Sequence, residues 1–204
     1  MIVLSHRGFW RKALEKNTLA ALERTLAEGF GTETDVRDRD GLLVLAHDPA
    51  GADAMDWSTL VTMFTGTGLP LAVNVKADGL ALLLQSAFAD AGIDWFAFDM
   101  SGPEMVRYAR EGLPFFTRHS DVEPEPILYD RADGVWLDAF EDEWFGAEVV
   151  RRHLDAGKRV CVVSPELHGR PHEAQWAMLE PLAGAPGLML CTDLPDIARE
   201  RFTS

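Results

Sequence analysis

Two histidines bracket two carboxylates within one short segment near the N-terminus: His6, Glu33, Asp35 and His47. Imidazole groups accept and donate protons near neutral pH, and carboxylates bind divalent cations. This combination predicts phosphoryl transfer or hydrolysis, with His6 and His47 as the groups that transfer protons.

The first element around these residues is predicted to be a buried strand. The apolar run IVLSHRG delivers His6 and Arg7 to the carboxyl end of that strand. A helix is predicted from about Asn17 to Gly29, and the segment TETDVRD then predicts a second strand.

The two acidic residues of the second strand share one face, because side chains alternate along a strand with a period of two. Glu33 and Asp35 would repel each other there and would both lose hydration. A bound cation is therefore favoured over a purely structural ion pair with Arg7 or Arg37.

The segment RDRDGLLVLAHDP predicts a β-hairpin after the second strand, and its turn decides where His47 points. A three-residue loop from Arg39 to Gly41 would place His47 opposite Glu33, on the carboxylate face. A two-residue turn of Asp40 and Gly41, the commoner choice for that dipeptide, would aim His47 at the opposite face. The sequence leaves both registers open.

The chain as a whole predicts an α/β fold, because strand-like runs alternate with helical patterns. Eight such runs occur: IVLSH, GTETDV, LAVNVK, WFAFDM, PFFTR, GVWLDAF, RVCVVS and GLMLCTD. Eight strands with crossover helices indicate one compact (β/α)8 TIM barrel over residues 1–204, a single domain with the hairpin as an addition. The helix at 57–64 should be short, and EPEPILYDRA should form barely a turn.

A barrel gathers functional side chains where its strands end. The further candidates are Asn74, Lys76, Asp99, Arg118, Asp138, Glu166, His168 and Asp193. Trp136 is equally consistent with stacking on a substrate and with packing inside the barrel. Asp193 is interpreted as a turn or cap residue. Three further histidines are expected to face solvent: His119, His153 and His172.

Composition is typical of a compact enzyme. The chain has 204 residues, of which 47% are apolar, and a net charge of −14. That charge disfavours nucleic acid and anionic membranes as partners. Cys161 and Cys191 lie in apolar runs and are expected to be reduced core residues. No run is long enough to insert stably in a membrane and no leader is visible, so a cytoplasmic protein is expected.

Three stretches of this sequence resemble the glycerophosphodiester phosphodiesterase family: HRG, EKNTLAALERTLAEGFGTETDVRD and LLVLAHDP. The usual pattern of that family is HRG, then ENT, then an acidic pair on the second strand, then HD. The similarity runs in order from His6 to Asp48, and it continues more weakly to CTDLPDIA near the C-terminus.

The resemblance implies acid–base catalysis by His6 and His47 and a divalent metal, Mg²⁺ or Ca²⁺, on the acidic pair. Two positions depart from the family pattern. Lys16 stands where ENT has its glutamate, with Glu15 one residue earlier. Asn74 stands where the family has a third acidic ligand, so it would offer the metal an oxygen without a charge.

The implied substrate is a small-molecule phosphodiester. Arg7 and Lys76 would bind its nonbridging oxygens. By resemblance, a neighbouring hydroxyl of a glycerol-like substrate attacks phosphorus, and water opens the resulting cyclic phosphate. The loop that carries Glu166 and His168 departs from the family pattern and is interpreted as a determinant of substrate specificity, and Trp136 is a candidate for stacking on the substrate. Two alternatives stay open: the same chemistry on a sugar-linked or lysophospholipid diester, and a weakly catalytic protein that binds phosphate ligands.

Overall fold

The computed structural model describes residues 1–202, which form ten β-strands and seven α-helices. The strands are β1 (Ile2–His6), β2 (Gly31–Arg39), β3 (Leu42–Leu45), β4 (Met55–Asp56), β5 (Leu71–Val75), β6 (Trp95–Phe98), β7 (Phe116–His119), β8 (Gly134–Leu137), β9 (Arg159–Val163) and β10 (Leu188–Thr192). The helices are α1 (Leu19–Glu28), α2 (Trp57–Phe64), α3 (Ala81–Phe88), α4 (Gly102–Glu111), α5 (Ala147–Asp155), α6 (Glu173–Leu179) and α7 (Pro195–Phe202). Within residues 1–202, none of the helices has the length and apolar character needed to cross a bilayer.

The parallel strands follow one another around a ring. Strand β1 pairs with β2 on one side and with β10 on the other, and the order continues through β5 and β6 and through β9, β8 and β7. A single parallel bridge between Ala97 and Phe115 joins β6 to β7 and completes the ring. This order confirms the predicted barrel, with β3 and β4 as an antiparallel extension of β2.

The interior of the barrel is filled by alternate side chains of these strands. Two aromatic pairs stack across it: the rings of Phe96 and Phe116 lie 3.7 Å apart, and those of Phe98 and Trp136 lie 3.8 Å apart. Gly134 is required at its position, because a Cβ atom there would lie 2.4 Å from the Phe116 ring. The interior also contains both cysteines, which are buried and free as predicted.

Two short elements have the extents that the sequence predicted. Helix α2 has the predicted bounds, and the proline-rich EPEPILYDRA segment contributes only a 3-10 turn at Tyr129–Arg131. Helix α1 begins after Thr18, whose hydroxyl accepts a hydrogen bond from the Ala21 amide, and it ends at Gly29 in the left-handed region with φ of 72°.

The hairpin uses the two-residue turn. Arg39 pairs with Leu42, and Asp40 and Gly41 have φ values of 54° and 80°, as a type I′ turn requires. The three-residue loop is therefore wrong. Strand β3 ends at Leu45, so the strand register does not fix the direction of the His47 side chain.

Two of the three histidines expected to face solvent are buried instead. His119 and His153 are 4% and 3% exposed, and His119 Nδ1 lies 2.9 Å from His153 Nε2. The Tyr129 hydroxyl lies 2.9 Å from His153 Nδ1, so the second ring nitrogen of His153 also has a hydrogen-bond partner. Both ring nitrogens of His153 thus have hydrogen-bond partners, which makes its burial tolerable. The sequence did not reveal these partners. His172 is half-buried against Trp176, with ring centroids 4.1 Å apart.

Candidate active site

A cavity of about 290 Å³ opens where the barrel strands end. Most of the predicted site residues line it: His6, Arg7, Glu33, His47, Asn74, Lys76, Trp136 and His168. Two predicted residues, Asp35 and Glu166, do not line it. The structure therefore brings both candidate proton-transfer groups and both cationic groups to one cavity.

His6 ends β1 and is held by Asp193, which follows β10. The distance between His6 Nδ1 and Asp193 Oδ1 is 2.6 Å, and His6 Nε2 lies 3.9 Å from Glu33 Oε2. Burial lowers the pKa of His6, although the Asp193 carboxylate opposes this effect. The interpretation of Asp193 as a turn or cap residue is wrong, because its carboxylate binds His6 and Lys16.

Glu166 supports the Asp193 segment rather than lining the cavity. Its Oε1 accepts a hydrogen bond of 3.1 Å from the Asp193 amide and another from the Thr192 hydroxyl, and its Oε2 accepts one from Ser164. The Trp176 indole donates to Ser164 Oγ at 2.7 Å, which directs the serine proton towards Glu166. Glu166 is thus linked to His6 through Asp193.

Asp35 lies fully buried beneath the two cationic residues of the cavity. Arg7 Nε is 2.9 Å from Asp35 Oδ2, and Lys76 Nζ is 3.4 Å from Oδ1. Asn17 donates a 2.8 Å hydrogen bond to Asp35 Oδ2 and accepts one from Thr34. The ion pair with Arg7 that the sequence offered as an alternative is therefore formed, whereas Arg37 instead donates to the His47 carbonyl.

Glu33 is a buried carboxylate of the site, with 1% of its surface exposed. The pKa of Glu33 is raised to about 8, chiefly by burial and secondly by the charge of Asp35. The charges of Arg7 and Lys76 and a hydrogen bond from Asn74 oppose this rise. A carboxylate this poorly compensated indicates either protonation or an additional cation at neutral pH.

Three buried oxygens of the site lack a hydrogen-bond partner: Glu33 Oε2, Asn74 Oδ1, and Asp35 Oδ1, which is ion-paired with Lys76 instead. They belong to the three predicted metal ligands, and hard cations prefer such oxygens. Oxygen donors of this kind suit a hard divalent cation. Among residues 1–202, no group of three or more His, Cys, Asp or Glu side chains is arranged to hold a metal. The predicted set has two carboxylates, and its third member is the uncharged amide of Asn74.

His47 reaches the cavity from the loop after β3. Its side chain is 46% exposed, and its Nδ1 lies 3.1 Å from Asp48 Oδ1. It also lines a larger open groove of about 730 Å³, which Arg7 shares. His47 therefore lines both the cavity and the groove.

A second aspartate–histidine pair occupies the opposite wall. His168 Nε2 lies 2.8 Å from Asp138 Oδ1, which also accepts a 2.8 Å hydrogen bond from the Ala139 amide. Trp136 forms part of the same wall and packs on Phe98, so it serves the barrel interior as well as the cavity. Sequence reasoning placed Asp138 and His168 at strand ends but did not pair them.

Two other candidates lie at the edge of the site or outside it. Asp99 lines the cavity and is ion-paired with Arg118. Glu15 is ion-paired with Arg24 and also accepts a 3.0 Å hydrogen bond from the Arg11 amide. The carboxylate of Glu15 therefore serves the β1–α1 loop and not the cavity.

The fold is shared with solved glycerophosphodiester phosphodiesterases. The enzyme from Agrobacterium tumefaciens aligns with a TM-score of 0.74 at 17% identity, covering 100% of both chains. The enzyme from Parabacteroides distasonis aligns with a TM-score of 0.68 at 16% identity, covering 99% of this chain and 96% of that one. No family model and no curated protein matches the sequence. At these identities the similarity establishes the fold.

Proposed function

We propose that this protein is a metal-dependent phosphodiesterase that hydrolyses a glycerophosphodiester-like substrate. The observation that carries the proposal is the shared cavity, in which His6 and His47 lie with the cationic Arg7 and Lys76. Cations that bind nonbridging oxygens and two groups that transfer protons are what hydrolysis of a phosphodiester requires.

His6 is suited to act as the base. Asp193 holds its Nδ1 and leaves Nε2 towards the cavity, and the lowered pKa keeps the ring neutral near pH 7. His6 would take the proton of a hydroxyl adjacent to the phosphate ester. That oxygen forms a bond to phosphorus while the bond to the leaving alcohol breaks, and His47 protonates the leaving oxygen.

The second half of the reaction reverses these roles. His47 would take a proton from water, whose oxygen adds to the cyclic phosphate, and His6 would return its proton to the ring oxygen that leaves. The products are an alcohol and a phosphomonoester such as glycerol phosphate, and both histidines regain their initial states. Each proton transfer contributes about 10²- to 10⁴-fold to the rate.

Arg7 and Lys76 bind the phosphate and are themselves positioned by Asp35, which lies within 2.9 and 3.4 Å of their nitrogens. Glu33, Asp35 and Asn74 would hold Mg²⁺ or Ca²⁺. The ion, when bound, supplies charge that stabilises the phosphorane and lowers the pKa of the attacking hydroxyl.

A phosphate-binding protein with little catalysis is the second candidate. It is favoured by Asn74, which brings no charge, and by the engagement of Asp35 with two cations. Such a protein would bind phosphate ligands but would not need His6 and His47 in one cavity.

The test is release of alcohol from a panel of glycerol-, sugar- and lysophospholipid-derived phosphodiesters, with Mg²⁺, with Ca²⁺ and with a chelator. We expect turnover that depends on the metal and that falls at least ~100-fold in His6→Ala and in His47→Ala. The matched control is His172→Ala, outside the cavity. Phosphate binding without turnover of any diester would support the second candidate instead.

A further inference from the structure

The loop between β1 and α1 carries the most exposed large apolar side chain that the structure describes. Leu14 is 95% exposed in a 3-10 turn at Ala13–Glu15, and the neighbouring cationic residues Arg11 and Lys12 are exposed as well. Trp10, which precedes them, is half-buried. A single exposed leucine is common on protein surfaces, but here two cations and an aromatic ring adjoin it in the sequence.

Hydrogen bonds hold this loop in a fixed shape. The Trp10 indole donates to the His6 carbonyl at 3.1 Å, and the Glu15 carboxylate accepts a 3.0 Å hydrogen bond from the Arg11 amide. Arg24 of α1 is ion-paired with Glu15 and donates to a backbone carbonyl of the loop at 2.9 Å. The apolar tip is therefore presented to solvent by a preorganised backbone, so covering it with a partner costs little further ordering.

The charge of the loop is opposite in sign to that of the whole chain. Residues 7–17 include four cationic residues and one acidic residue, whereas the chain has a net charge of −14. Glu15 is ion-paired with Arg24, and in the described part of the chain no carboxylate is ion-paired with Arg11 or Lys12. Because salt screens charges more than about 8 Å apart, a surface that touches the loop meets these local cations and not the net charge.

The same loop borders the open groove of about 730 Å³. Lys16, Asn17 and the 45% exposed Leu19 line this groove. Lys16 Nζ also lies 4.7 Å from the centroid of the Trp10 ring, so the two parts of the loop are in contact. A surface that binds the loop is thus held beside the groove.

We propose that the β1–α1 loop is a docking surface for an anionic lipid membrane, with Leu14 in the interfacial region and Arg11 and Lys12 on lipid phosphates. An apolar tip beside cations and a tryptophan is typical of segments that bind membrane interfaces. Two cations and one leucine give a partition coefficient on the order of 10³ M⁻¹, so the binding is reversible. This surface is separate from the proposed chemistry, since none of these three residues lines the cavity.

Cosedimentation with lipid vesicles tests this surface. The probes are vesicles of phosphatidylcholine alone and vesicles of equal parts phosphatidylcholine and phosphatidylglycerol. We expect preferential binding to the anionic vesicles, which should weaken strongly at ~1 M NaCl, where the Debye length is about 3 Å. The double variant Arg11→Gln with Lys12→Gln should bind about 10- to 30-fold more weakly. Leu14→Ser should bind several-fold more weakly.

The matched controls lie away from the loop. Leu42→Ser changes a leucine that is 66% exposed at the start of β3, and the double variant Arg107→Gln with Arg110→Gln removes two exposed cations of α4. Both controls should bind as the wild type does. The proposal would be overturned if the wild type showed no preference for the anionic vesicles, or if the controls lost as much binding as the loop variants.

A label at the tip of the loop gives a second measurement. Leu14→Cys can be labelled selectively with an environment-sensitive dye, because Cys161 and Cys191 are buried. Its emission should shift to the blue when anionic vesicles are added, whereas a label at Leu42→Cys should not respond. An unchanged emission at Leu14→Cys would contradict insertion of the tip. A dimer that forms without lipid and dissociates in Leu14→Ser, measured by analytical ultracentrifugation, would assign the loop to a second copy of the chain and overturn the lipid surface.

Discussion

His6 Nδ1 lies 2.6 Å from Asp193 Oδ1, across the junction where the first and last strands of the barrel meet. The carboxylate holds the proton on Nδ1 and so leaves Nε2 as the acceptor towards the cavity. Residues from the first and last strands thereby form one hydrogen-bonded unit, and the orientation of the proposed base depends on closure of the barrel.

Replacing Asp193 tests this dependence. In Asp193→Asn, the amide can donate to Nδ1 and favour the other tautomer, so we expect kcat to fall about 100-fold or more while KM changes little. The control is Asp90→Asn, an exposed residue in the left-handed region with φ of 60°, where asparagine is well tolerated. Equal kcat values for Asp193→Asn and the wild type would remove Asp193 from the mechanism.

Glu166 should affect His6 indirectly, through its hydrogen bond with the Asp193 amide. Glu166→Gln replaces one acceptor oxygen by an amide donor that faces Ser164, Thr192 or the Asp193 amide. We expect a loss of about 1–3 kcal/mol in unfolding free energy and a several-fold decrease in kcat with a shifted acidic limb of the pH profile. Glu173→Gln, at an exposed site, serves as the control. A changed KM with a normal pH profile would instead favour the substrate contact predicted from the sequence.

Asn74 determines the charge of the proposed metal site. Asn74→Glu adds a carboxylate beside two others, so Mg²⁺ or Ca²⁺ should bind more tightly and raise the melting temperature further than in the wild type. The new carboxylate would also compete with the substrate phosphate for Lys76, so kcat should stay unchanged or fall. Calorimetric titration that shows identical metal affinity in both proteins would mean that Asn74 is not a ligand.

The buried histidine pair should make the fold sensitive to acid. The pKa of His153 is lowered to about 4, below its ordinary value of 6.5, chiefly by burial and secondly by the neighbouring His119. Between pH 6.5 and about pH 4, the unfolded chain therefore binds more protons than the folded chain. The free energy of unfolding decreases as the pH falls through this range, by roughly 3 kcal/mol at most. Denaturant titration of His153→Gln should show a weaker dependence in this range. His172→Gln should retain the wild-type slope.

The order of the strands could be predicted from sequence, because eight apolar runs separated by helical patterns have few other solutions. The placement of His47 could not. Its loop begins after Leu45, so the register of the β2–β3 hairpin decides nothing about its side chain, and His47 lines the cavity despite the two-residue turn at Asp40 and Gly41.

Side-chain partners that are distant in sequence were also beyond prediction. Asp193 is separated from His6 by almost the whole chain, and its partner depends on β10 lying beside β1. One signal was available: parallel pairing of the first and last strands carries Ser5 opposite Thr192, and so the residues that follow each come together. The burial of His119 and His153 had no such signal, because their partners lie on separate elements.

The ring of strands has one seam. Between β6 and β7, a single backbone bridge is supplemented by side chains, namely the Phe96–Phe116 stack and the Asp99–Arg118 ion pair. Local opening of the barrel should begin there, so the β6 and β7 amides should exchange with deuterium faster than those of β1 or β10. The seam borders the wall that carries Asp138, and a substrate that spans this wall would protect the amides of both strands against exchange.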